Sequence, residues 1–126
     1  MKTIIFTAEA PAPIGPYSQG ILHNDTLYIS GQIAINPETG DITTNSIEVE
    51  TIQVMENLKA ILKAANMTFE NVVKATIFIT NMNDFGSINT VYGSYLNEKT
   101  APARETVQVA GLPKNVNVEI SMIAML

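Results

Sequence analysis

The chain has 126 residues with a formal net charge of −5, 46% hydrophobic and 15% charged, so it is read as one globular domain spanning 1–126 with a core of its own. Seven Lys plus Arg, scattered and with no basic run, exclude a phosphate-binding footprint, and nucleic acid is not expected as a partner. The absence of cysteine excludes disulfides, thiol nucleophiles and Cys-based metal sites, and the single histidine, His23, leaves no His triad or zinc site, so no metal is expected.

The N-terminal run Thr3-Ile-Ile-Phe6 is too short for a signal peptide or a membrane span, so a cytoplasmic location and no membrane partner are expected. Ile4 to Phe6 reads as a first strand. The loop Ala10-Pro-Ala-Pro-Ile-Gly-Pro16 that follows is stiff and extended, and it ends in Tyr17, which suits the wall of a pocket. Gly20–His23 and Thr26–Ser30 flank Asn24-Asp25 as a tight hairpin with His23 at its exposed turn. Gly31, at the end of that strand, predicts a bulge or a close backbone approach. Asn36-Pro-Glu-Thr-Gly-Asp41 reads as a surface turn.

Asn45 with Glu48 predicts a helix start. Ile47, Thr51, Val54, Leu58, Ile61 and Ala65 then recur at helical steps until Asn66 closes the helix. Val72–Thr80 is apolar on both faces and predicts an internal strand. Asp84 is expected to cap a second helix with Phe85, Ile88, Tyr92 and Tyr95 on one stripe, weakened by Gly86 and Gly93.

The last fifth reads as two strands joined by Gly111-Leu-Pro-Lys-Asn115. Alternation puts Arg104, Thr106 and Gln108 on one face of the first, and Glu119 and Ser121 opposite Val118, Ile120 and Met122 on the second. A guanidinium there can fork a small carboxylate and a lone Glu can move protons. The plainer reading is that Arg104 and Glu119 pair across the two strands. The whole predicts an α+β domain, a mixed sheet of about six strands with two helices on one face. Ile123, Met125 and Phe78 leave the other face apolar, which calls for burial in a homo-oligomer.

Taken in order, Ile14-Gly-Pro-Tyr-Ser-Gln-Gly20, Ser30-Gly-Gln-Ile33, Asn36-Pro-Glu-Thr-Gly40, Val72-Val-Lys-Ala-Thr-Ile-Phe78, Asn83-Asp-Phe85, Pro102-Ala-Arg104, Leu112-Pro-Lys114 and Val118-Glu-Ile120 resemble the reactive intermediate deaminases of the RidA, or YjgF, type. Each motif is weak alone; their order and spacing across the chain are specific.

The resemblance implies a chorismate-mutase-like fold assembled as a homotrimer, with clefts between subunits. It implies cofactor-independent hydrolysis of 2-imino acids and enamines such as 2-aminoacrylate to 2-oxo acids and ammonia, the activity of a 2-iminobutanoate/2-iminopropanoate deaminase. It gives Arg104 the role of carboxylate clamp and Glu119 that of holding the attacking water. Tyr17 would close the cleft from a neighbouring subunit, Ser30 and Asn89 would line it, and the backbone around Gly31 and Thr106 would bind substrate or water. Thr106 stands where many members have cysteine, and Ser121 where many have an acidic residue. The competing readings are a regulatory trimer that binds a small 2-oxo acid with little turnover, and an endoribonuclease. Glu119 opposes the first because a carboxylate weakens anion binding, and the acidic balance opposes the second.

Overall fold

A computed structural model describes all 126 residues. Strands β1 (Thr3–Ile5), β2 (Gly20–His23) and β3 (Thr26–Gln32) lead into helix α1 (Ile47–Ala64). Then come β4 (Val72–Ile79), α2 (Phe85–Ser94), β5 (Ala103–Gln108) and β6 (Val118–Met125). One six-stranded sheet has the order β1-β2-β3-β6-β4-β5, antiparallel except for the β4–β5 pair. This is the mixed sheet with two helices expected from the alternation of patterns.

The first three strands form a meander whose β2–β3 turn places Asn24 at φ 54°, a conformation that asparagine tolerates. In α1 the cap is Ser46 and not Asn45: its hydroxyl accepts from the Val49 N–H at 3.1 Å. At the other end Asn66 takes φ 59°, and Met67 N–H returns to the Leu62 carbonyl, which closes the helix as expected. Asp84 caps nothing. It already has helical backbone angles inside a short turn, Met82–Asp84, whose own cap is the Asn81 side chain.

The largest departure concerns the last two strands. They are not neighbours: β4 lies between them, so no cross-strand pairing of Arg104 with Glu119 is available. The crossover through α2 returns β5 parallel to β4, and β6 then takes the other edge of β4 and pairs with β3 as well. Strand β6 therefore joins the two halves of the sheet.

Val118, Ile120, Met122 and Ala124 of β6 are buried beneath the helices with Ala75, Ile77 and Ile79 of β4 and the α1 stripe Val54, Leu58, Ile61 and Leu62. On the opposite face no helix lies. Register aligns Ile4, Ile21, Tyr28, Ile123 and Lys74 in one row across it. Ile4, Tyr28, Met125 and Val107 are exposed there, so the chain by itself leaves an apolar sheet face open to water.

Candidate functional site

The first cluster grows from an irregularity in β3. Ile29 pairs with Met122 and Gln32 with Ile120, so Ser30 and Gly31 together face the single residue Ser121. Ile29 and Gln32 both stay buried because the extra residue resets the alternation. Gly31 meets both expectations for it: it sits in a bulge, and a neighbour lies close upon it. A Cβ there would fall 2.1 Å from Glu119 Oε2 and 2.8 Å from its Cδ, so only glycine leaves room for that carboxylate.

The proline loop is tied to the same place. Gln19, 1% exposed, donates through Nε2 to the carbonyls of Thr7, Ala10 and Pro11, and its Oε1 accepts from Thr7 N–H. Ser30 fastens the far side, its N–H donating to Gln19 O at 2.9 Å and its hydroxyl to Ser18 O at 2.6 Å. These bonds present Tyr17, whose hydroxyl accepts from Ile14 N–H at 3.4 Å. A pocket of about 350 Å³ results, with Tyr17, Ser30, Gly31 and Glu119 in its wall beside Ile14 and Pro113. Burial pushes the Glu119 carboxyl above the ordinary carboxylate value of 4.5.

The second cluster lies on the other side of the sheet. Arg104 is in register with Ala75 and Glu119 with Phe78, and residues three apart on β4 point to opposite faces. Arg104 accordingly reaches up beside α2, where it donates from Nη1 to Asn89 Oδ1 at 2.7 Å. Its Cζ lies 5.1 Å from the Tyr92 ring centroid and 5.7 Å from that of Phe85. No carboxylate comes within ion-pair distance of it, the one salt bridge in the chain being Lys74–Glu105 at 3.0 Å.

Thr106, two residues along the same strand face, has a buried hydroxyl without a partner, and so does Tyr92. Arg104, Asn89 and Tyr92 line a concavity completed by Leu96, Ala101 and Pro102. Within one chain, then, Tyr17, Ser30, Gly31 and Glu119 come together, Arg104 and Asn89 come together, and the two groups face away from each other. Tyr17 and Glu119 line the same pocket of one chain.

Sequence reasoning missed three supports. Gln19 carries no periodic signal in its loop. Glu50 does: it falls one helical turn before Val54 on the apolar stripe of α1, a charged residue among buried positions. It is fully buried and accepts from Asn117 N–H and Nδ2 at 2.7 Å each and from Val118 N–H at 3.1 Å, which seats the start of β6 immediately before Glu119. The third is the pair of rings, Phe85 and Tyr92, placed by the sequence on one stripe of the second helix and set by the structure beside Arg104, with Tyr92 also part of the core. No group of His, Asp or Glu side chains is placed to hold a metal ion, and no helix is long and apolar enough to cross a membrane.

A family model described as endoribonuclease L-PSP matches residues 7–126. A bovine protein named 2-iminobutanoate/2-iminopropanoate deaminase is 46% identical over 125 residues, covering 99% of this chain and 90% of its own. A RutC family protein of Synechocystis is 52% identical over 124 residues, covering 98% of this chain and 95% of its own. Among solved structures, E. coli TdcF with bound serine superposes with a TM-score of 0.93 at 43% identity and covers 98% of each chain. The YjgF protein of E. coli does so with a TM-score of 0.92 at 41% identity, again over 98% of each. By its matched family model, its relatives and its fold, this chain belongs to the RidA/YjgF family.

Proposed function

We propose that the protein hydrolyses 2-imino acids, and enamines such as 2-aminoacrylate through their imine tautomers, to 2-oxo acids and ammonia. The observation that carries this reading is the separation of Arg104 and Glu119 onto opposite faces of one sheet. Each is prepared for a ligand that its own chain cannot hold against both. The site is therefore made at the seam between copies of a homotrimer: Arg104, Asn89 and the backbone about Thr106 from one copy oppose Tyr17, Ser30, Gly31 and Glu119 of the next. Burial of the apolar face that no helix covers would drive the assembly. A deaminase name on the bovine relative and bound serine, a small amino acid, in TdcF support a carboxylate-bearing ligand of this size.

The chemistry needs positioning and one proton relay. Arg104 clamps the substrate carboxylate through two parallel N–H bonds, at about 1.5–3 kcal/mol for a charge-assisted contact. Glu119, ionised, takes a proton from water as the oxygen attacks the imine carbon and passes it to the imine nitrogen, which gives the neutral carbinolamine. The carbinolamine then collapses: Glu119 takes the hydroxyl proton and delivers it to the nitrogen, the C–N bond breaks as the carbonyl forms, and ammonia leaves with the carboxylate restored. Bringing water and imine together in near-attack geometry supplies most of the acceleration for so reactive a substrate. No metal or organic cofactor has a role in this scheme.

A regulatory trimer that only binds a 2-oxo acid would use Arg104 equally but gains nothing from Glu119. An endoribonuclease would have to work with a net charge of −5. The test couples a threonine dehydratase to the protein and traps the released imine with semicarbazide. Wild type should divert imine from the trap and Arg104→Ala should not; equal trapping with and without wild type refutes the deaminase. Sedimentation of a monomer at micromolar concentration would refute the shared site.

A further inference from the structure

We propose that Phe85 and Tyr92 are positioning residues for Arg104: their two rings, with Asn89 between them, form an aromatic cradle on α2 that holds the guanidinium ready for a carboxylate. The inference rests on the reading of Arg104 as the carboxylate clamp and adds what keeps that clamp in place.

Positions 85, 89 and 92 stand at i, i+4 and i+7 on α2 and so share one face. All three touch Arg104, at 5.7 Å, 2.7 Å and 5.1 Å in turn. Both ring distances lie inside the range, up to about 6 Å, in which a cation is attracted by an aromatic face. A guanidinium is flat and weakly hydrated, and rings can hold it without consuming its N–H groups. Asn89 takes one Nη1 donor, and with no carboxylate within ion-pair distance the in-plane donors stay available for a bidentate partner.

The Tyr92 ring is nearly fully buried, at 4% exposure, yet its hydroxyl has no partner. Packing of the ring, and not a hydrogen bond of the hydroxyl, therefore fixes this side chain against Arg104. Phe85, 37% exposed, lies outside the buried core cluster, and its ring stands beside Arg104.

The experiment measures 2-oxobutanoate affinity by titration calorimetry, and kcat and KM in the trapping assay, on folded full-length variants. Phe85→Leu should weaken 2-oxobutanoate binding and raise KM about fivefold with kcat within about twofold, and Phe85→Tyr should restore both, in line with a cation–π contact at a partly exposed site. Tyr92→Leu should raise KM about tenfold, and Tyr92→Phe, which keeps the ring and removes only the unpaired hydroxyl, should restore it. Because Tyr92→Leu can fail to fold, Phe85→Leu at the half-exposed position decides the matter. Unchanged affinity and KM in folded Phe85→Leu, or a fall in kcat in place of a rise in KM, overturns the cradle alone. Wild type that neither binds 2-oxobutanoate nor consumes imine overturns the clamp and the cradle together.

Discussion

The bulge at Ser30–Gly31 and the aromatic face of α2 hold charges of opposite sign by opposite means. Glu119 is packed against bare backbone in a partly dry pocket, and burial raises its proton affinity. Arg104 lies against soft π-surfaces and one amide, and keeps donors to spare. A group that must trade a proton gains from a dry setting that destabilises its charge. A group that must bind an anion gains from partners that leave its charge unspent. On this reading damage to the first region lowers kcat, and damage to the second raises KM.

The sharpest break is Gly31→Ala. The new methyl cannot coexist with Glu119 where it stands, and the carboxylate, being the free end of a flexible side chain, swings away. We expect kcat to fall about 100-fold, as for a displacement near 1 Å, with little change in Tm. A large loss of Tm with kcat retained would show that the close approach serves folding only. Arg104→Lys should raise KM tenfold or more, since an ammonium can neither fork a carboxylate nor stack in the cradle. A change confined to kcat would erase the division between the two regions.

Glu50→Ala tests the support beneath β6. It strips buried acceptors from Asn117 and Val118 and should cost about 1–3 kcal/mol for each donor left without a partner. Thermal unfolding reads the loss. Because β6 carries Glu119, kcat should suffer before 2-oxobutanoate affinity does.

The smallest effect is a pH dependence. Glu119 is raised above 4.5 in the folded chain, so between that value and its folded pKa the folded state holds the proton more tightly than the unfolded state. Stability from this group is therefore full below 4.5 and declines as pH rises through the folded pKa. Glu119→Gln should melt slightly above wild type at pH 7 and level with it below 4.5, while losing turnover. In wild type the acid limb of kcat/KM should lie above the ordinary carboxylate range. A variant that melts level with wild type at every pH would mean that the pocket does not dry Glu119.

Much of the architecture was open to inspection in the residues. Branched runs, a helical stripe from Ile47 to Ala65 and the Asn24 and Asn66 turns are local features, set by side-chain period and backbone sterics, and the structure follows them. Gly31 was legible for the same reason, since a glycine ending a strand of larger residues announces a backbone need. Glu50 was visible as a charge on an apolar stripe. Gln19 was not, because its three partner residues lie 8 to 12 residues upstream in a loop without period.

Strand adjacency was not legible either. The short connection after β5 has the look of a hairpin, but the crossover through α2 had already settled where β5 could lie. The amino-acid order alone determined which side chains leave each strand together, since alternation acts within a few residues. Only the tertiary structure decided that β4 stands between Arg104 and Glu119 and turns them to opposite faces. Strand order comes from long-range burial competing over the whole chain, and no local pattern encodes that.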